Sequence, residues 1–428
     1  MGNAVDNKLL MELITIPLFT GVIGYITNWT GVLMLFEPLR FYGFRLPGLA
    51  FVYPYFPRRV QVLPIFGPGY RFGWQGMVPS RAEKMASIAV DKSLTKLGSV
   101  KDFYRELDPD AIAEHLVKVA APEIPELVRR VMIRENPRLW YNLPSFAQEL
   151  VYRRVEAALP ANANRITATL GDHIEDLVDP KLMAIRHLTE HPRLLNSIFK
   201  DMGAKELRFM INFGFYFGFP MGFLLVGVLH FLPYWWVLPL GGVIIGYVVN
   251  YIGLEMIYSP LRPTWWVPWR QGLLLKRRQE IIEGFANIIA NDVITTDNMA
   301  AELLRGPRSD RTRQMLETVM KEAVDTAVGR AKLAVKTAMG GREYENLGST
   351  LAPVALTLAT GAMSDADFAA SQSIRIRNFV AAQMSKLSLE DFVDLLRSAT
   401  KQDEWLLFVH GAVLGIVGGF VHLAIFGV

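Results

Sequence analysis

The sequence predicts an all-α integral membrane protein. Four transmembrane helices form two parallel repeats, each carrying a cytoplasmic amphipathic helical domain. Three observations lead there. Four stretches without Lys or Arg are each long enough to cross a bilayer. Two of them carry one signature, written as GYITNWTGVLMLFEPLR and again as GYVVNYIGLEMIYSPLR. The chain between the apolar stretches is charged and patterned for helix.

The apolar stretches are Leu9–Phe36, 209–231, 235–258 and 405–428, each meeting the roughly 20 residues that a spanning helix needs. Composition agrees: 51% of the 428 residues are hydrophobic, yet 20% are charged, so apolar spans and charged segments are segregated. Only Leu232, Pro233 and Tyr234 separate the second stretch from the third, which makes them a tight hairpin. One lysine precedes the first stretch and no small-residue cleavage site follows it, so a span is expected there, not a cleaved leader. The absence of cysteine excludes disulfides and thiolate metal sites.

Four spans put 37–208 and 259–404 on one side of the membrane and both termini with the hairpin tip on the other. Of 45 Lys and Arg, all but Lys8 lie in or beside the two long segments. Many flank the span ends, among them Arg40, Arg45, Arg58, Arg59, Lys205, Arg208, Arg262, Arg270 and Lys276. Cytoplasmic loops retain positive charge, so both segments are expected to be cytoplasmic. The resulting domains are a first signature span (9–36), an aromatic interfacial ramp with a helical domain (37–208), a hairpin containing the second signature (209–258), a second ramp and helical domain (259–404), and a C-terminal span (405–428).

The two long segments read as amphipathic helices. Capping pairs recur at Ser80/Glu83, Ser99/Asp102, Ser364/Asp367 and Ser388/Asp391. Apolar residues follow at helical spacing, as in Ala86, Val90, Leu94 and Leu97. Alternating strand patterns are scarce.

Gly24, Tyr25, Asn28, Gly31, Met34, Pro38, Leu39 and Arg40 match Gly246, Tyr247, Asn250, Gly253, Met256, Pro260, Leu261 and Arg262 at a constant offset. An aromatic stretch follows each copy, with Tyr53, Tyr55, Phe56, Tyr70, Phe72 and Trp74 in the first and Trp265, Trp266 and Trp269 in the second. Each ends in a glycine and a basic helix, at Gly76 and Gly272. Both signatures enter the membrane from the same side, so the repeat is parallel, unlike an inverted-repeat transporter. Arg40 and Arg262 can snorkel to the headgroups, and the rings, Trp74 and Trp269 among them, suit an interfacial belt that would also bind anionic lipid heads.

Asn28 and Asn250 are polar groups inside the spans. A carboxamide in lipid seeks a partner across a helix interface, so helix glue is the first reading and substrate contact the second. Glu255, near the cytoplasmic end of its span, is an intramembrane acid and thus a site candidate. Gly24, Gly31, Gly246 and Gly253, with the overlapping GxxxG steps Gly411, Gly415 and Gly419, are candidates for close helix packing, within the chain or between copies.

At this point the chain resembles a known family. The strings GVIGYITNWTGVLMLFEPLR, GLLLKRRQ and LRFMINFGFYFGFPMGFLLVGV are similar to DUF445, a family of bacterial membrane proteins that includes the YheB and YjiN types. The resemblance implies a bacterial cytoplasmic (inner) membrane location and a mostly helical fold. It supplies no catalytic residues. Ser259 stands where the first copy has Glu37, so that position need not act symmetrically.

Little else points to chemistry. His187-Leu-Thr-Glu190-His191 fits the H-x-x-E-H pattern of inverted zinc peptidases, but Pro192 disfavours helix at His191 and no third ligand is evident. No metal or other cofactor is expected. Gly67-Pro-Gly69 precedes no Rossmann unit and reads as a turn. Basic residues alternate with acids, which argues against nucleic acid. The expected function is that of a non-enzymatic membrane protein, a homo-oligomer in contact with membrane lipids, that organises an envelope protein partner or handles lipid at the cell envelope. A transporter or channel built on Asn28, Asn250 and Glu255 is the alternative, and a zinc hydrolase a minor one.

Overall fold

The computed structural model describes residues 2–61 and 63–427, without the side chains at 2–8, 59, 60, 94 and 399, so Lys8, Arg59 and Leu94 contribute no side-chain facts. Helix dominates. Among the described residues, four helices are long and apolar enough to span a membrane: Gly2–Phe36 (apolar from Leu9), Ala204–Phe231, Val237–Tyr258 and Glu404–Phe426, with mean hydropathies between 1.6 and 2.0. A further pair, Gly341–Met363 and Ala366–Lys386, has this character only when joined across a break bent by 74°.

The chain divides into two compact units. Unit 1 comprises 1–89, 185–285 and 387–428; unit 2 comprises 90–184 and 286–386. This differs from the two separate helical domains that the sequence suggests at 37–208 and 259–404. The outer parts of both segments join the spanning helices, while their inner parts pack as one body. The reason is pairing across the chain. In unit 2, Asn136 Nδ2 donates to Met339 O at 2.8 Å, Thr350 donates to Glu135, and Arg308 reaches Asp179 and the carbonyls at the end of helix Ser145–Leu177.

Unit 1 holds the four spanning helices. The first signature helix (Gly2–Phe36) packs along the first return helix (Ala204–Phe231), and the second signature helix (Val237–Tyr258) along the second return helix (Glu404–Phe426). Glycine makes each approach possible. A Cβ on Gly24 would strike Gly214 O, one on Gly218 would lie 2.9 Å from Thr20 O, and one on Gly222 would strike Pro17. In the second pair the same positions recur as Gly246 against Gly411, Gly415 against Gly242, and Gly419 against Pro239. The outward faces carry exposed Leu10, Leu18, Trp29, Leu224, Ile244, Val413 and Ile425, as hydrocarbon contact requires.

One expectation fails locally. The first ramp contains a small antiparallel sheet, order β1-β3-β2, from β1 (Tyr42–Arg45), β2 (Phe66–Gly67) and β3 (Arg71–Trp74). Gly43 and Gly73 face each other in register, where side chains would collide with the opposing backbone. The Gly67-Pro-Gly69 stretch forms the turn of the β2–β3 hairpin. A short run of aromatic and glycine residues escapes a search for long alternation, and tertiary pairing decides it.

The caps are mixed. Ser99 and Asp102 form a capping box, and Ser388 accepts from Asp391 N at 3.0 Å. Ser80 instead lies inside helix Met77–Ser80, donating to Met77 O, and Asp365, not Ser364, accepts from Phe368 N. His191 caps helix Pro192–Met202, and Pro180–Glu190 stops just before it.

Candidate functional site

Asn28 and Asn250 are both buried, and each donates from Nδ2 to a carbonyl of the return helix beside it: Met210 O at 2.5 Å and Leu407 O at 2.7 Å. These are interhelical bonds in a setting where water is absent, worth on average about 0.6 kcal/mol each. Gly31 and Gly253 approach side chains, not backbone: Gly31 faces Leu407 and His410, Gly253 faces Met210 and Phe213. Where the four helices meet, a cavity of about 50 Å³ is lined by Ile16, Gly24 and Thr27 from the first signature helix and by Leu238, Gly246 and Val249 from the second. It has room for no more than a few waters.

The ends of the signature helices repeat the same bonding. The Glu37–Pro38 and Ser259–Pro260 peptides are both cis. Gly76 N donates to Pro38 O at 2.9 Å and Gly272 N to Pro260 O at 3.0 Å; Gln75 Nε2 reaches Leu39 O and Gln271 Nε2 reaches Leu261 O, both at 2.9 Å. Arg81, five residues beyond Gly76, pairs with Asp403 at 2.7 Å; Arg277, five beyond Gly272, pairs with Glu206 at 2.7 Å. Asp403 and Glu206 sit at the starts of the two return helices, and each arginine takes the acid belonging to the other helix pair. Both acids have side chains at most 6% exposed, so these are buried pairs. Arg277 also holds Glu280, with Lys205 assisting, and the two cations lower the Glu280 carboxyl to about 2.

Glu255 is not a free intramembrane acid. Its carboxylate lies 2.9 Å from Arg397, which also binds Glu404 at 2.7 Å and stacks over Tyr258, 4.7 Å from the ring centre. Sequence reasoning missed Arg397, because the pairing spans more than a hundred residues of chain.

Arg40 and Arg262 are solvent-exposed. Trp74 and Trp269 are half-buried, and Trp269 Nε1 donates to Ser259 O at 2.7 Å, so Trp269 braces the loop and presents little ring surface outward. The exposed rings are others: Trp265 (90% exposed) and Trp266 in the second ramp, and Tyr42, Phe44, Phe51, Tyr55, Tyr70 and Phe72 in the first. Tyr42, Phe44 and Phe51 were legible as aromatics, but only the folding of 41–74 reveals which rings point away. Tyr53, Phe56 and Phe66 turn inward and pack on one another.

Unit 2 contains a feature no motif announced. Helices of both its chain segments, Pro109–Ala120, Ile124–Glu135 and Ser145–Leu177 with Thr296–Arg305, Ser309–Val328 and Gly341–Met363, surround a cavity of about 520 Å³. Apart from Tyr104, Arg154, Asn162, Thr167, Thr312 and Thr360, its wall is Ala, Val, Leu, Ile and Met. Three of those polar groups are already spent: Tyr104 Oη donates to Thr167 O, Thr167 Oγ1 to Asn164 O and Thr360 Oγ1 to Leu356 O. The cavity opens to solvent beside the exposed Leu150 and Arg154. Water is a poor filler, since each molecule needs two to four polar partners.

The His187 and His191 rings lie 4.7 Å apart between centres, tilted by 34°, and among the described residues no three His, Cys, Asp or Glu are grouped to hold a metal.

Comparison with known proteins gives three partial likenesses. The chain is 28% identical over 123 residues to a UPF0754 membrane protein of Shouchella clausii, covering 24% of this chain and 32% of the relative. It is 31% identical over 84 residues to one from Listeria welshimeri (19% and 22% of the two chains) and 32% identical over 77 residues to one from a Synechococcus species (16% and 19%). The matches therefore span a third or less of these relatives. UPF0754 corresponds to the DUF445 family, in agreement with the resemblance read from the sequence, and the relatives' names support a membrane location. No family model matches the chain, and no solved structure does.

Proposed function

We propose that this is a non-enzymatic protein of the bacterial inner membrane that grips anionic lipid at the cytoplasmic interface and organises the envelope there. The observation that carries this reading is the pair of ramps after the signature helices. Each carries exposed aromatic rings and exposed arginines within one segment of chain: Tyr42, Phe51 and Tyr55 with Arg40 and Arg45, and Trp265 and Trp266 with Arg262 and Arg270. Rings of this kind prefer the headgroup level, and each cation near an anionic surface adds about 1 kcal/mol of attraction.

The spans act as the frame. Asn28 and Asn250 donate to backbone across helix contacts, and the seam between the spans is narrow, which favours a scaffold over a solute pathway, although Asn28 Oδ1 and His422 Nδ1 are buried there without a partner. Matched glycines, asparagines and loop bonds support duplication of one unit about an axis along the membrane normal. The basic residues beside the spans favour a cytoplasmic position for 37–208 and 259–404. A homo-oligomer or an envelope partner would use a face other than the glycine stripes, which are occupied within the chain.

Brominated lipids test the reading. Full-length protein is placed in nanodiscs of brominated phosphatidylglycerol or brominated phosphatidylcholine. The difference in tryptophan quenching between the native chain and a Trp265→Phe/Trp266→Phe variant is then measured. Quenching of these two rings, stronger in the anionic lipid and reduced by Arg262→Gln/Arg270→Gln, is expected. Rings that neither lipid quenches would sink the proposal.

A further inference from the structure

We propose that the cavity of unit 2 is a binding site for one long acyl chain with an acidic head. The site lies wholly in unit 2 and shares no residue with the interfacial ramps. Its wall is aliphatic on every helix that contributes, from Ile112 and Leu127 to Leu316, Val324 and Leu351. It contains few aromatic rings and no paired acid–base groups to orient a polar solute. Its volume of about 520 Å³ lies in the size range of sites for small ligands, and a continuous aliphatic wall fits a hydrocarbon chain.

The head is assigned by charge. Arg154 is the single charged residue of the wall, and it is exposed to solvent, so its guanidinium marks the mouth. Its Nε is anchored on Ala327 O at 2.5 Å, which ties helix Ser145–Leu177 to the end of Ser309–Val328. A carboxylate or phosphate accepts from a guanidinium fork in two parallel bonds. A free fatty acid and one chain of an anionic phospholipid both supply this chemistry.

The test uses full-length protein in detergent and palmitate carrying a photoactivatable group at mid-chain. Cross-links are expected in peptides of Ser145–Leu177 and Ser309–Val328, and unlabelled palmitate should suppress them. Arg154→Gln, at an exposed position, should weaken palmitate binding about tenfold and leave methyl palmitate unaffected. Ala163→Phe/Ala323→Phe, which fills the cavity, should abolish labelling there, with native circular dichroism confirming the fold. Competition by phosphatidylglycerol with little by palmitate identifies the phospholipid as the source, and the reverse identifies the free acid; either outcome upholds the site. Labels confined to the spanning helices, labelling indifferent to both Arg154→Gln and the filling pair, or suppression only by dimerisation of the chain overturns it.

Discussion

Replacing Gly246 by alanine probes the packing on which unit 1 depends. A Cβ at Gly246 would collide with Gly411 O and stand 2.7 Å from its carbonyl carbon, inside the 3.0 Å that real Cβ atoms respect. Neither atom can swing away, because both belong to the backbone of the second return helix. The helices must therefore separate, and the contacts Gly242–Gly415 and Pro239–Gly419 lie on the same seam. A gap of 0.5–1 Å forfeits about a quarter to a half of each contact's dispersion energy, and overpacking typically costs about 1–3 kcal/mol. Alanine returns up to about 1 kcal/mol through helix propensity. The net expected loss is about 1–2 kcal/mol, or about 2–8 °C in melting temperature for a body of this size. Gly227→Ala is the control, since nothing lies within 4 Å of its Cβ position, and it should be neutral or slightly stabilising. Melting followed by size-exclusion fluorescence in detergent reads both. Equal melting temperatures for Gly246→Ala and Gly227→Ala would refute the reasoning.

Asn28→Leu and Asn250→Leu should each lower stability by about 0.6–1 kcal/mol while leaving lipid quenching of Trp265 and Trp266 intact; loss of quenching in a normally melting variant would revive the pathway alternative. Arg277→Gln leaves Glu206 buried and without its ion partner and should cost about 3 kcal/mol or more, whereas Arg81→Gln leaves Asp403 with Lys84, 3.9 Å away, and should cost less. Arg153→Gln, from an exposed pair, should cost well under 1 kcal/mol, and chemical denaturation that ranks the three alike would contradict this. The Glu280 carboxyl is lowered from 4.5 to about 2 by Arg277 and Lys205. Its contribution is thus fully present above pH 4.5 and is lost as pH falls toward 2. Glu280→Gln should flatten that part of the stability–pH curve, and an unchanged acid limb would show that the pairing contributes nothing.

The membrane part of the fold was legible because it rests on local signals. Runs of apolar residues set the spans, and Pro38 and Pro260 mark their ends. The Asn28 and Asn250 reading named the residue type and its need, but the acceptors, Met210 O and Leu407 O, lie far along the chain. The stripe Gly214, Gly218 and Gly222 has the same spacing as Gly411, Gly415 and Gly419 and is legible in the sequence, although phenylalanines stand between its glycines. The ion pairs Arg81–Asp403 and Arg277–Glu206 were hidden by distance, as was the joining of 90–184 with 286–386. Nothing local predicts a cavity, because each helix shows only an apolar face and the gap exists only once several such faces meet.

The crossed ion pairs bear on why the two halves of the chain differ. Each signature helix packs on the return helix that follows it, so half a chain contains a complete helix pair. Yet Arg81 finds its acid at Asp403 and Arg277 finds its acid at Glu206, so each half also buries a charge whose partner the other half supplies. An isolated half would carry an unpaired buried acid, at a cost of several kcal/mol. Unit 2 adds to this, because its cavity wall takes helices from both halves. Symmetry is therefore held tightly along the two seams, where Gly24, Gly218 and Gly222 and then Gly246, Gly415 and Gly419 meet the backbone of the facing helix.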